Sequence, residues 1–166
     1  MTIELALADN EHTERLGAAL AHSGPRSARG PLIVYLEGVL GAGKTTLARG
    51  LLRELGVTGV VRSPSYTLLE SYESGGLRVV HMDLYRLNGA QDLAALGWRD
   101  EWTPGALFLV EWPERAAGSM PPADLHVTLS IAGQGRHARI EAPTEAGAAW
   151  LEALRSERAI AEMNRV

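Results

Sequence analysis

The stretch Leu32–Leu47, LIVYLEGVLGAGKTTL, decides the fold. Its apolar opening, Leu32 to Leu36, reads as a buried strand, and Thr46, Leu47 and Ala48 begin a helix. Between them lies Gly38-x-x-x-x-Gly43-Lys44-Thr45, the Walker A pattern in its strand–loop–helix setting. Gly38, Gly41 and Gly43 permit backbone dihedrals closed to residues with a Cβ, and they let the chain come close to a ligand. Inward-pointing N–H groups then make an anion nest, reinforced by the positive end of the helix. Lys44 is placed to reach β- and γ-phosphate oxygens, and the Thr45 hydroxyl to ligate Mg²⁺. The expected ligand of this stretch is a nucleoside triphosphate.

Outward from that stretch, the chain mixes strands and helices. Ile3 to Leu7 reads as a short strand, and Asp9 or Asn10 as the cap of a helix from about Glu11 to Ala21. Ser23 to Gly30 is expected to be a flexible connector, and Gly56 to stop the Walker helix. Thr67–Tyr72 and Leu77–Asp83 form a hairpin around Ser74-Gly75-Gly76, and Gln91 to Trp98 a short helix. Ala106 to Val110 is an apolar run ending on Glu111. Leu125–Ile131 and His137–Ala142 alternate as strands around Gly133-Gln134-Gly135. Pro143 and Thr144 open a last helix to about Arg158, with a fraying tail beyond it. The expected class is α/β: a P-loop NTPase-like mixed β-sheet flanked by helices, in a single domain spanning 1–166.

Composition narrows the setting. A chain of 166 residues suits one domain with a sizeable core. A formal net charge of −4 gives no electrostatic case for broad nucleic-acid or membrane binding. With no cysteine, disulfides and thiolate metal sites are excluded. The first residues carry acids and no long apolar core, and no run is long enough to span a bilayer, so the cytoplasm is the expected compartment.

A P-loop needs a carboxylate near its metal, and two strands end in one: Asp83 after VVHM and Glu111 after FLV. Spacing does not divide their roles. The assignment favoured here puts Glu111 on Mg²⁺, directly or through water, and has Asp83 order the metal shell or the attacking water. His81 shares a strand face with Asp83 and is expected to be a hydrogen-bonded histidine within the sheet. Ser63, Ser65 and Thr67 lie where P-loop proteins carry a γ-phosphate sensor, and Ser65 is the chosen candidate. Trp98, Trp102, Trp112 and Trp150 are expected to fill core or interface, with Trp112 close enough to Glu111 to lie near a nucleotide. Arg86, Arg115 and Arg136 are anion partners or solvated surface groups.

The segments GVLGAGKTTLARG, SPSYTLLESY, HMDLYRL and VEWPER follow in this order. Together they resemble the TsaE (YjeE) family, the small P-loop ATPases of bacterial tRNA threonylcarbamoyladenosine synthesis. The likeness runs from about Thr2 to Arg136. It implies an Mg²⁺-dependent ATPase, slow alone, that acts with TsaB and TsaD subunits. These place threonylcarbamoyl on adenosine 37 of tRNAs reading codons that start with A, and contact of this chain with the tRNA is expected to be indirect. The preference for ATP over GTP comes from the same resemblance. The family's phosphate loop falls on Gly38, Val39, Leu40, Gly41, Ala42, Gly43, Lys44, Thr45 and Thr46. Its metal-linked threonine falls on Thr45 and its acids on Asp83 and Glu111. Thr13 and Arg136 correspond to further nucleotide contacts. Ser65 stands where the family commonly has threonine, which keeps the hydroxyl and loses a methyl. Two other functions fit a P-loop: a small-molecule or nucleotide kinase, and a binding module switched by nucleotide occupancy.

Overall fold

Apolar runs with no polar face belong inside a sheet covered on both sides, and the two such runs here lie side by side at its centre. In the computed structural model, which describes residues 1–25 and 29–163, β2 (Leu32–Glu37) pairs in parallel with β5 (Leu107–Glu111). Alongside β5 runs β4 (Leu77–Asp83), also parallel, joined by the Gly75-Gly76 turn to β3 (Leu69–Ser74) at the edge. On the other side β2 pairs in parallel with β6 (Leu125–Ala132), followed by antiparallel β7 (Gly135–Glu141) and β1 (Thr2–Leu7). The order of the seven-stranded mixed sheet is β1-β7-β6-β2-β5-β4-β3. The expected fold class is the one observed.

Alternation in β2 splits the core. Leu32, Val34 and Leu36 face α1 (Asn10–Ser23), α2 (Lys44–Glu54), α4 (Glu145–Arg155) and α5 (Arg158–Met163). Ile33 packs on the other side with Val80, Met82, Phe108, Val110 and Trp98, beneath the chain that carries α3 (Ala90–Ala95). Helices α1 and α2 cross at very short range. A Cβ on Gly17 would stand 2.1 Å from the Leu47 carbonyl oxygen, and one on Gly50 would stand 2.1 Å from that of Glu14. Glycines at both crossing points therefore set how closely the Walker helix can approach α1.

Register brings the functional ends together. Asp83 pairs with Glu111 and Leu36 with Glu111, so the carboxyl ends of β2, β4 and β5 finish level. Several boundaries differ from the sequence expectation. β3 begins at Leu69, not Thr67, because Leu68 adopts a left-handed φ of 62° and gives its carbonyl to the Asp83 N–H at 3.0 Å. The helix expected over Gln91–Trp98 is α3 plus a separate 3-10 turn at Trp98–Glu101, divided by Gly97 at φ 69°. The last helix stops at Arg155, and α5 follows, burying Ile160 and Met163. The expected connector Ser23–Gly30 lies partly outside the described residues, as does the end of the tail. Among the described residues no helix is long and apolar enough to cross a membrane.

Candidate nucleotide and metal site

The loop between β2 and α2 has the shape its glycines allow. Gly38 has φ 139°, and a Cβ there would lie 2.3 Å from the Leu129 carbonyl oxygen on β6. Gly43, the residue before α2, has φ 107° and ψ 13°, which leaves Lys44 and Thr45 as the first helical residues. Their free N–H groups and the helix dipole make the loop a site for anions.

Lys44 is 5% exposed, and its Nζ donates to the carbonyls of Gly38 and Val39, at 3.1 Å for Val39. The same ammonium lies 4.0 Å from the centre of the Trp112 ring. Burial holds the Lys44 pKa below its ordinary value, against the pull of Glu111, Glu114 and Asp83, whose charges favour the cation.

Opposite stand two acids, with Glu111 2% and Asp83 6% exposed. The Thr45 hydroxyl donates to Glu111 Oε1 at 2.9 Å. His81, fully buried, meets Glu111 Oε2 through Nε2 at 2.7 Å. The Ser63 hydroxyl donates to Asp83 Oδ2 and reaches Glu111 Oε2 at 3.3 Å. Asp83 Oδ1 accepts the Tyr85 N–H at 3.0 Å. The acids and the phosphate loop border one cleft of about 350 Å³, which Asn10 and Arg136 also line. A larger cavity of about 920 Å³ opens at the opposite, amino ends of β2, β4 and β5, lined by Leu32, Leu77 and Leu107. It is remote from both acids.

Known proteins share this arrangement of sequence. The family model of threonylcarbamoyl adenosine biosynthesis protein TsaE matches residues 7–140. The chain belongs to the TsaE family. It is 42% identical over 116 residues to tRNA threonylcarbamoyladenosine biosynthesis protein TsaE of Haemophilus influenzae, covering 70% of this chain and 73% of that one. The protein of the same name from Synechocystis is 39% identical over 117 residues, 69% of this chain and 72% of the relative. The crystal structure of Bacillus subtilis YdiB superposes with a TM-score of 0.73 at 27% identity, over 93% of this chain and 94% of the other.

In this TsaE-family chain the fold brings most of the expected site residues together. Gly41, Gly43, Lys44, Thr45, Thr46, Leu40, Ser65, Asp83, Glu111 and Arg136 all border the cleft. Val39 and Leu40 stand exposed at the loop's tip, whereas Ala42 is buried. Arg136 binds the loop itself, donating through Nε to the Ala42 carbonyl at 3.0 Å and through Nη2 to that of Gly41 at 3.2 Å. Thr13 is fully buried behind the loop. Its hydroxyl donates to the Asp9 carbonyl at 3.1 Å, and its methyl would touch a Cβ on Gly43 at 3.4 Å. Of the three hydroxyls in the following loop, Ser65 lines the cleft, and Thr67 turns outward to Glu70 at 3.1 Å. The hydroxyl that joins both acids is that of Ser63, which no spacing rule singled out from its neighbours. His81 is the sheet histidine expected, but its partner is Glu111 across the strands. Trp112 does both things expected of it: partly buried, it packs against the core cluster of Phe108 and Val110, and it borders the cleft, with a left-handed φ of 59°.

The donor set suits a hard divalent cation. The groups there that border the cleft are oxygens: Thr45 hydroxyl, Asp83 and Glu111 carboxylates, Ser63 hydroxyl. Two buried acids facing one ammonium leave a formal excess of negative charge, which such a cation would offset. Among the described residues no three histidine, cysteine or acidic side chains gather as an all-protein metal cage.

Proposed function

We propose that this chain binds and hydrolyses ATP with Mg²⁺ as a cytoplasmic subunit needed for threonylcarbamoyladenosine formation at position 37 of tRNAs reading codons that start with A. It acts with TsaB and TsaD, which hold the tRNA and carry out the transfer. The observation that carries this reading is the meeting of Lys44 and Thr45, at a helix start behind a glycine-shaped loop, with two buried strand-end carboxylates. Family membership supplies the pathway, since the relatives above carry its name.

Each residue has a task in this reading. The N–H groups from Gly38 to Thr46 and the Lys44 ammonium bind the polyphosphate. Thr45 and Glu111 hold Mg²⁺, which supplies charge neutralisation on the phosphate oxygens. Asp83, held by Ser63 and the Tyr85 N–H, aligns water for in-line attack. Ser65 senses the terminal phosphate from the cleft wall. Arg136 fixes the phosphate loop by its carbonyls, and Thr13 backs it.

Among the described residues neither Asp83 nor Glu111 is paired with an arginine, and in this reading hydrolysis is slow until partners join. The decisive experiment measures phosphate release by the isolated chain and by the chain with TsaB and TsaD, with tRNA modification followed in parallel. Stimulation by the partners together with ATP-dependent modification supports the proposal. Full-speed hydrolysis alone, indifferent to the partners, would sink it. Phosphate transfer that requires a small acceptor would establish a kinase instead. Modification restored by a hydrolysis-dead variant that still binds ATP would establish a binding switch.

A further inference from the structure

His81 has no part in the chemistry above, yet it is the most deeply buried polar ring beside it. It pairs with Leu109 across β4 and β5, two places before the Asp83–Glu111 pair, so its ring faces the same side as Glu111. Glu111 accepts from Thr45 at Oε1, at 2.9 Å, and meets His81 Nε2 at Oε2, at 2.7 Å. We propose that His81 is a positioning residue: it donates from Nε2 to Glu111 and fixes the carboxylate so that Thr45 presents its oxygen lone pairs to the cation.

The geometry carries this in three steps. The torsion at the end of a glutamate is soft, so a carboxylate held at one oxygen can turn. Without His81, Oε2 would keep only the Ser63 hydroxyl at 3.3 Å. Thr45 has one hydroxyl proton. While Oε1 stays in place that proton points at Glu111, and the lone pairs of Oγ1 point elsewhere, free for a metal. The other ring nitrogen supports a task rather than a packing role. Nδ1 is buried with no hydrogen-bond partner among the described residues. An apolar side chain of similar size would avoid that unmet polar group, so packing alone gives no reason for a histidine here.

The inference rests on the Mg²⁺–ATP reading, and its test separates the two. In the unaltered protein without nucleotide, ¹⁵N–¹H spectra of the histidine rings should show a hydrogen on His81 Nε2, in the bond to Glu111. That Nε2–H resonance should move in Glu111→Gln. Calorimetry then gives ATP affinity with and without Mg²⁺, and the ratio measures the coupling between metal and nucleotide. His81→Gln keeps a donor near the Nε2 position, and its ratio should stay within about threefold of the unaltered protein. His81→Asn falls short of Glu111, and its ratio should drop about tenfold, the usual loss for a metal ligand's supporting partner. Equal ratios in both variants, whether kept or lost, would overturn the proposal, as would an Nε2 that carries no hydrogen. Failure of the unaltered protein to bind ATP would instead remove the nucleotide reading, with the spectra still deciding the His81–Glu111 contact.

Discussion

The ammonium of Lys44 rests against the face of Trp112, 4.0 Å from the ring centre, while donating to the carbonyls of Gly38 and Val39. A ring there both attracts the cation and keeps water from it. Trp112→Ala removes both effects without relieving the left-handed backbone, since alanine also disfavours positive φ. The expected result is an ATP dissociation constant raised about three- to tenfold, in line with about 1 kcal/mol for such a contact, against little change for Trp112→Phe. Calorimetry on the three proteins checks it.

Loss of the ammonium itself is more severe. Lys44→Ala should abolish measurable ATP binding, because the Gly38 and Val39 carbonyls then lack their cation and the phosphates lack theirs. Glu111→Ala should retain much of the nucleotide affinity and lose hydrolysis by about a hundredfold or more. Phosphate release measured at saturating ATP separates the two effects, and undiminished turnover in Glu111→Ala would remove its assigned role.

Ser63 and Ser65 are two residues apart but are not equivalent. The Ser63 hydroxyl joins Asp83 to Glu111, whereas Ser65 borders the cleft and its N–H bonds the Ser63 carbonyl at 2.8 Å. Ser63→Ala leaves two adjacent carboxylates without their shared donor and should cut hydrolysis about tenfold to a hundredfold. Ser65→Ala should cost less. Turnover in the partner-activated complex tests the order, and a larger loss at Ser65 would reverse it.

The crossing of α1 over α2 predicts a stability effect far from the chemistry. Gly17→Ala forces its new methyl into the Leu47 carbonyl, a backbone atom that cannot step aside. Helix separation must increase, at a cost of about 1–3 kcal/mol, visible as a lower midpoint in urea. Leu47 lies three residues after Lys44, so nucleotide affinity should fall as well.

Tyr35 predicts an alkaline effect. Burial, and then the negative charge of Glu37, push its phenol up to about 12, while its hydroxyl donates to the Pro121 carbonyl at 2.6 Å. The folded state thus keeps a proton that the unfolded chain releases near pH 10. The contribution of this group to stability is fully present and constant below pH 10, and it declines as pH rises from about 10 to 12. In Tyr35→Phe that part of the decline should vanish, with about 1 kcal/mol lost at neutral pH for the missing hydrogen bond. Urea unfolding at a series of pH values above 8 gives both quantities.

Much of the site was legible because its signals are local. The glycine spacing, the lysine–threonine pair and the two strand-end acids each depend on neighbours along the chain. The role of Ser63 over Ser65 was not legible, since it follows from where β3 begins, and that depends on the left-handed turn at Leu68. The Lys44–Trp112 contact depends likewise on the backbone reversal just after β5. Arg136 was expected to meet a ligand, and the fold shows it bound to loop carbonyls that no pattern could reveal.

By itself the sequence determined the class of fold and the phosphate loop, because hydrophobic periodicity and glycine permissiveness act over a few residues. Only the tertiary structure decided which hydroxyl joins the acids, that His81 meets Glu111 and not Asp83, and how closely α1 approaches the Walker helix. Those relations span 20 to 30 residues or more of chain. They are set by parallel register and helix crossing, which arise from packing the whole core at once.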